Sequence, residues 1–201
     1  MDMRLWFRNI CLKNQFPVSD TQLLRLEEYV SSLLEWNKKI NLVSRRDTDN
    51  IWRRHIVGSI AFLFRFQLHP SSSIIDIGTG GGLPGIPLAI LLQNVRVTLV
   101  DSIQKKVKAV ESIISDLHLE TVDALCGRAE ELADRKELQH SFDYVIARAV
   151  GQVADLIKWS KPFLKSARNN YSNISRSSSL QSQIDSGSIL LLKGGDVTDE
   201  I

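Results

Sequence analysis

The chain has 201 residues, of which 43% are hydrophobic and 24% charged, and its formal net charge is +2. That balance excludes wholesale disorder and a fibrous repeat, and the length suits one α/β domain with an added element rather than two full domains. No stretch reaches the roughly 18 apolar residues that span a bilayer. The start, MDMRLWFRNICLKNQF, scatters its charges and has no long apolar run, unlike a secretory signal. Two cysteines, Cys11 and Cys126, without a Cys-x-x-Cys spacing argue against a disulfide framework or a structural zinc site. The expected address is therefore the cytoplasm, with no membrane and no metal involved.

Residues 1–70 read as a helical extension. Ser19 or Asp20 caps a first helix in which Leu23, Leu26, Val30, Leu33 and Leu34 recur at spacings of three and four. The polar, basic connector WNKKINLVSRRD follows. Asp47 to Asn50 then form a second capping cluster, opening a helix over 51–66 with Ile51, His55, Ile56, Phe62, Leu63 and Phe66 on its inner face. Between residues 36 and 69 seven bases (Lys38, Lys39, Arg45, Arg46, Arg53, Arg54, Arg65) face two acids, Asp47 and Asp49. Gathered on one face, such an excess would neutralise backbone phosphates, which makes Lys38, Lys39, Arg45, Arg46, Arg53 and Arg54 the RNA-binding candidates. The plainer alternative is a solvated helix surface.

From residue 71 to 201 the pattern becomes short apolar strands alternating with helices. Strands are expected at 73–77, 95–100, 122–125, 143–147 and 188–192, and helices at 87–92, 103–117 and 152–164, with a helical turn at 128–133. This alternation predicts right-handed crossovers and a Rossmann-like, doubly wound, mostly parallel sheet covered on both faces. Residues 166–187, rich in serine and asparagine, read as a flexible loop that buries too little to repay its ordering.

The most informative stretch runs Ile74-Ile75-Asp76-Ile77-Gly78-Thr79-Gly80-Gly81-Gly82-Leu83-Pro84-Gly85. A strand entering glycines and then a helix lets a ligand approach the backbone, and in a doubly wound sheet this turn lies at the carboxyl ends of the strands. Gly80, Gly82 and Gly85 match G-x-G-x-x-G, a spacing that suits dinucleotides equally. Asp76, two residues before Gly78, suits the cationic amino-acid end of S-adenosylmethionine and would repel a pyrophosphate. Asp101, closing the next strand in LVD, suits the two hydroxyls of an adenosine ribose. The rival reading is an NAD(P)-dependent oxidoreductase.

Other residues carry two readings each. Gly127-Arg128-Ala129-Glu130-Glu131 stands where such folds border an adenine, or is simply an acidic helix start. His55 is a candidate for positioning a substrate or the extension, against a packing histidine. Lys193 in LLKGG is a phosphate contact or a strand-end lysine with its ammonium in water. Trp36, Trp52 and Trp159 read as packing aromatics, and Cys126 as a buried, inert thiol.

Taken together, RRHIVGSI, DIGTGGGLPGIP, LVDSIQKKVKAV, GRAEEL, DYVIARAV and LLKGG, preceded by WNKKINLVSRRD, closely resemble the bacterial 16S rRNA guanine-N7 methyltransferases, the RsmG or glucose-inhibited division protein B group. The resemblance covers residues 20–165 and 189–201. It implies a class I methyltransferase fold and transfer of methyl from S-adenosylmethionine to N7 of one guanine near the decoding centre, with S-adenosylhomocysteine as by-product. Carried over by position, cofactor contacts fall on Gly78, Leu83, Asp101, Ala129, Glu130 and Arg148, beside Asp76, Gly80 and Gly82 from the reading of the turn. Arg148 falls between cofactor, guanine and phosphate. The implied partner is 16S rRNA or a small-subunit particle, the implied oligomeric state a monomer. The family's last two strands find no counterpart after Ile201, so an rRNA-binding assembly factor with impaired turnover is a further alternative.

Overall fold

The computed structural model describes residues 2–92, 94–148, 151–166 and 182–193. Helix α1 (Met3–Lys13) is capped by Asp2, whose carboxylate accepts from the amides of Arg4 and Leu5. Helix α2 (Asp20–Asn37) starts at Ser19 in a capping box with Gln22, as the Ser19/Asp20 signal predicts. A 3-10 turn (Arg45–Asn50), a π turn (Trp52–Ile56), α3 (Val57–Ile60) and a second 3-10 turn (Ala61–Phe64) follow. They lead into β1 (Phe66–Gln67). The sheet elements are β2 (Ser73–Ile77), α4 (Gly85–Leu91), β3 (Arg96–Asp101), α5 (Gln104–Asp116), β4 (Val122–Cys126), α6 (Ala129–Leu132), β5 (Tyr144–Arg148), α7 (Val153–Ser160), β6 (Ser182–Gln183) and β7 (Ser188–Leu192).

Among the described residues five strands form one sheet in the order β4-β3-β2-β5-β7, every pair parallel, and β1 pairs separately with β6. The period of two along each strand assigns its side chains to opposite faces. Ile74, Leu99, Tyr144 and Ile146 enter the larger apolar cluster, while Ile75, Ile77, Val100, Val145 and Ala147 enter the smaller one against Leu132, Leu156 and Phe163. A sheet buried on both faces is what the near-continuous apolar runs encode. The larger cluster also contains Phe7, Leu26, Tyr29 and Leu33 of α1 and α2, so the helical extension completes the core on that face.

Four expectations need correction. The helix expected over 51–66 changes winding twice and ends at Phe64; Phe66 therefore lies on a strand and is 43% exposed instead of inward. The helix expected to reach 164 stops at Ser160, because Pro162 has no amide hydrogen to continue the i−4 ladder and a 3-10 turn takes over. The serine-rich stretch is structured at its end: β6 pairs with β1, Tyr144 Oη donates to the Ile184 carbonyl, and Ser186 Oγ and the Gly187 amide bond Asp143. Composition is blind to such backbone pairing; residues 167–181 of the expected loop lie outside the described residues. Cys126, expected buried, is half-exposed at the end of β4. No helix among the described residues is long and apolar enough to cross a membrane.

Candidate cofactor site

Because β2, β3, β4 and β5 are parallel, the segments that follow them emerge at one end of the sheet. Strands β3 and β5 flank β2 on opposite sides, so the turn after β2 lies at the reversal of strand order, where open α/β sheets take ligands. The amides of Gly78 and Thr79 both bond the Val100 carbonyl, at 2.8 and 2.9 Å, and turn the chain away from the sheet. Gly80 and Gly82 have φ of 58° and 92°, a region that side chains disfavour, which explains glycine at these two positions.

The two strand-end acids act first on the turn itself. Asp76 is 1% exposed, and its Oδ2 accepts from Thr79 Oγ1 at 2.7 Å and from the Gly85 amide at 2.9 Å. Its other oxygen, Oδ1, is buried with no hydrogen-bond partner among the described residues. Burial pushes the Asp76 carboxyl up to about 6 against the lowering effect of those hydrogen bonds. Asp101 accepts the Gly80 amide at 3.0 Å on one oxygen and the Ile103 amide at 2.9 Å on the other, with Lys106 Nζ at 3.9 Å. Each of its oxygens retains a second lone pair for a ligand hydroxyl.

The remaining positions fall around this centre unevenly. Leu83 is 4% exposed, with its side chain in the core cluster. Ala129 is the buried first residue of α6, while Glu130 is exposed and 3.6 Å from Arg128. Arg148, the last residue of β5, donates from Nη2 to His55 Nδ1 at 2.9 Å, so the helical extension and the sheet meet at this pair. Lys193 Nζ donates to the Gly151 carbonyl at 2.9 Å, which places it against the segment after β5 and corrects the picture of an ammonium left wholly in water.

Two contributors escaped the sequence reading. Thr79 holds Asp76, a role hinted at only by a hydroxyl three residues past the acid. Tyr29 of α2 donates to the Gly81 carbonyl at 2.8 Å and carries no sequence signal of that contact. Trp52 is buried, but Trp36 and Trp6 bear cations, Lys39 and Arg53, at 5.1 Å from the ring centres. All six basic candidates are exposed; Lys38 pairs with Glu35 and Arg54 with Asp47. A recess along α5 and the outer edge of β4, lined by Ile114, Val122 and Leu125, shares no residue with the glycine turn.

An all-parallel sheet of this order, with its glycine turn tied to the next strand by a carboxylate, defines the class: a Rossmann-like, doubly wound α/β domain. The family model described as rRNA small subunit methyltransferase G matches residues 22–172. A curated relative of that name from Christiangramia forsetii is 38% identical over 191 residues, covering 94% of this chain and 82% of the relative. Another, from Flavobacterium johnsoniae, is 34% identical over 187 residues, covering 92% and 80%. A solved SAM-dependent methyltransferase from Aquifex aeolicus superposes with a TM-score of 0.42 at 16% identity, over 49% of this chain and 54% of that one. The chain belongs to the rRNA small subunit methyltransferase G family.

Proposed function

We propose that this chain transfers the methyl group of S-adenosylmethionine to N7 of a guanine in small-subunit 16S rRNA, near the decoding centre, and releases S-adenosylhomocysteine. The observation that carries the reading is the buried Oδ1 of Asp76 beside the glycine turn, unpartnered among the described residues, in a chain of this family. An anionic acceptor with nothing to accept fits an ammonium group and does not fit a pyrophosphate. The same site therefore disfavours the NAD(P) alternative.

Asp76, Gly78, Gly80, Gly82, Leu83, Asp101, Ala129, Glu130 and Arg148 would hold the cofactor, Asp101 through ribose hydroxyls. When bound, the cofactor supplies an electrophilic sulfonium methyl. Guanine N7 presents a lone pair and no proton, so the chain needs no general base; its work is to align N7 with the carbon–sulfur bond. An acceptor or carboxylate held beside N7 would stabilise the positive charge that the purine gains. Lys38, Lys39, Arg45, Arg46, Arg53 and Arg54 would meet the rRNA phosphates. The chain would act as a monomer in the cytoplasm, without a metal. Among the described residues no group of three acids, histidines or cysteines is arranged to hold one.

The test is incubation of the chain and tritiated methyl donor with small ribosomal subunits from cells lacking the modification. Label in the 16S rRNA supports the reading. Unlabelled subunits and unlabelled naked 16S rRNA, with folded protein, overturn it.

A further inference from the structure

We infer that His55 is a positioning residue: its neutral imidazole accepts Arg148 Nη2 at Nδ1 and thereby keeps the guanidinium off the bare oxygen of Asp76. The inference rests on the reading of the Asp76 turn as the adenosylmethionine site.

A guanidinium can only donate, so an imidazole nitrogen 2.9 Å from Arg148 Nη2 must offer a lone pair, and the ring proton lies on Nε2. Nε2 faces Asp47 Oδ2 at 3.5 Å, longer than an ordinary hydrogen bond, and has no other partner among the described residues. Arg148 Nη1 makes a second, long contact of 3.5 Å with the Arg54 carbonyl. Both anchors come from the turn Trp52–Ile56, which winds as a π turn, and local π winding recurs where a helix presents side chains to a functional site.

The charges around the pair explain why it needs an anchor. Arg148 emerges from β5, the strand next to β2, and feels Tyr29 of α2, Asp76 of β2 and Asp47. Asp76 Oδ1 is an unpaired acceptor, and a released guanidinium would be drawn to it. That contact would fill the position proposed for the cofactor's ammonium. A protonated His55 could not hold Arg148. Burial first, then Arg148 and Arg54, lower the His55 pKa, and Asp47 opposes them. Near neutral pH the ring is therefore the acceptor the geometry requires.

The experiment has two arms. Long-range 15N spectra of the wild-type imidazole should show, near neutral pH, an unprotonated Nδ1 and a protonated Nε2 for His55. A ring protonated at Nδ1 overturns the inference whether or not the chain binds cofactor. In the second arm, calorimetric titration with S-adenosylmethionine should give a Kd raised roughly 10-fold in His55→Leu. His55→Asn, whose amide oxygen restores an acceptor near Nδ1, should regain most of that loss. Wild-type affinity in His55→Leu, or equal losses in both variants with native circular dichroism, overturns it. If wild-type protein binds no adenosylmethionine, the cofactor reading fails instead, and the spectra still decide the His55–Arg148 contact.

Discussion

Tyr29 Oη donates a 2.8 Å hydrogen bond to the carbonyl oxygen of Gly81, joining α2 to the middle of the glycine turn. Tyr29 is 0% exposed, and a Cβ at Gly81 would stand 2.5 Å from Leu33 Cδ1, one turn further along the same helix. The helical extension is thus seated directly on the turn. Tyr29→Phe keeps the ring and leaves a buried carbonyl unpaired, which costs about 1–3 kcal/mol. Denaturant unfolding should show that loss together with weaker cofactor binding. A wild-type midpoint would mean the bond contributes nothing.

Gly85 packs where a methyl group has no room. A Cβ there would lie 2.2 Å from Leu99 Cδ2 and 2.9 Å from Asp76 Oδ2. Gly85→Ala should therefore displace the carboxylate as well as strain the core, with an overpacking cost of about 1–3 kcal/mol. The expected outcome is a lowered melting temperature and at least a several-fold rise in the cofactor Kd. A folded variant that binds normally would separate the packing from the site.

The pH dependence follows from Asp76, whose carboxyl is pushed up from 3.8 to about 6 by burial. A raised folded-state pKa means that the stability Asp76 contributes to the free chain is full below 3.8 and is lost as pH rises through about 6. A bound ammonium reverses the preference by favouring the carboxylate. Binding should then release a proton, and affinity should strengthen as pH rises through about 6 and level off above it. His55, lowered from 6.5, pushes affinity in the same direction, because its neutral form is the one that holds Arg148. Calorimetry near that pH in two buffers of different ionisation enthalpy measures the released proton. Asp76→Asn should abolish most of it, and an affinity flat across the range would contradict the assignment.

The sequence exposed whatever repeats along the chain or clusters locally. All five sheet strands stand within a residue or two of where alternation put them, and 188–192 matches to the residue. Asp76, Asp101 and the glycines were legible because they stand at the ends of two consecutive strands, and Asp76 finds both of its partners, Thr79 and Gly85, within one strand–turn–helix unit. What stayed hidden joins distant segments. Tyr29 looks like any aromatic on an amphipathic helix, although its hydroxyl meets residue 81. The His55–Arg148 contact spans 93 positions, and the β1–β6 pair is held by backbone groups in polar sequence that reads as loop. The sequence reading assigned Asp76 and Asp101 to a ligand, whereas the structure shows both clamping the turn, a role that residue type alone does not reveal.

Arg45 and Arg46, exposed on the 3-10 turn that closes the basic connector, test the RNA-facing reading without touching the glycine turn. Replacing both by Ala should lower the slope of log affinity for rRNA against log salt by about 1–2 if both neutralise phosphates. Adenosylmethionine binding should be unchanged. An unaltered slope would remove them from the RNA surface.

The central claim is tested most directly by mass spectrometry of nucleosides from 16S rRNA treated with this chain and deuterated S-adenosylmethionine. The account predicts a deuterated methyl group in 7-methylguanosine and in no other nucleoside. Label on a different base or on ribose, or none while the cofactor binds, would contradict it.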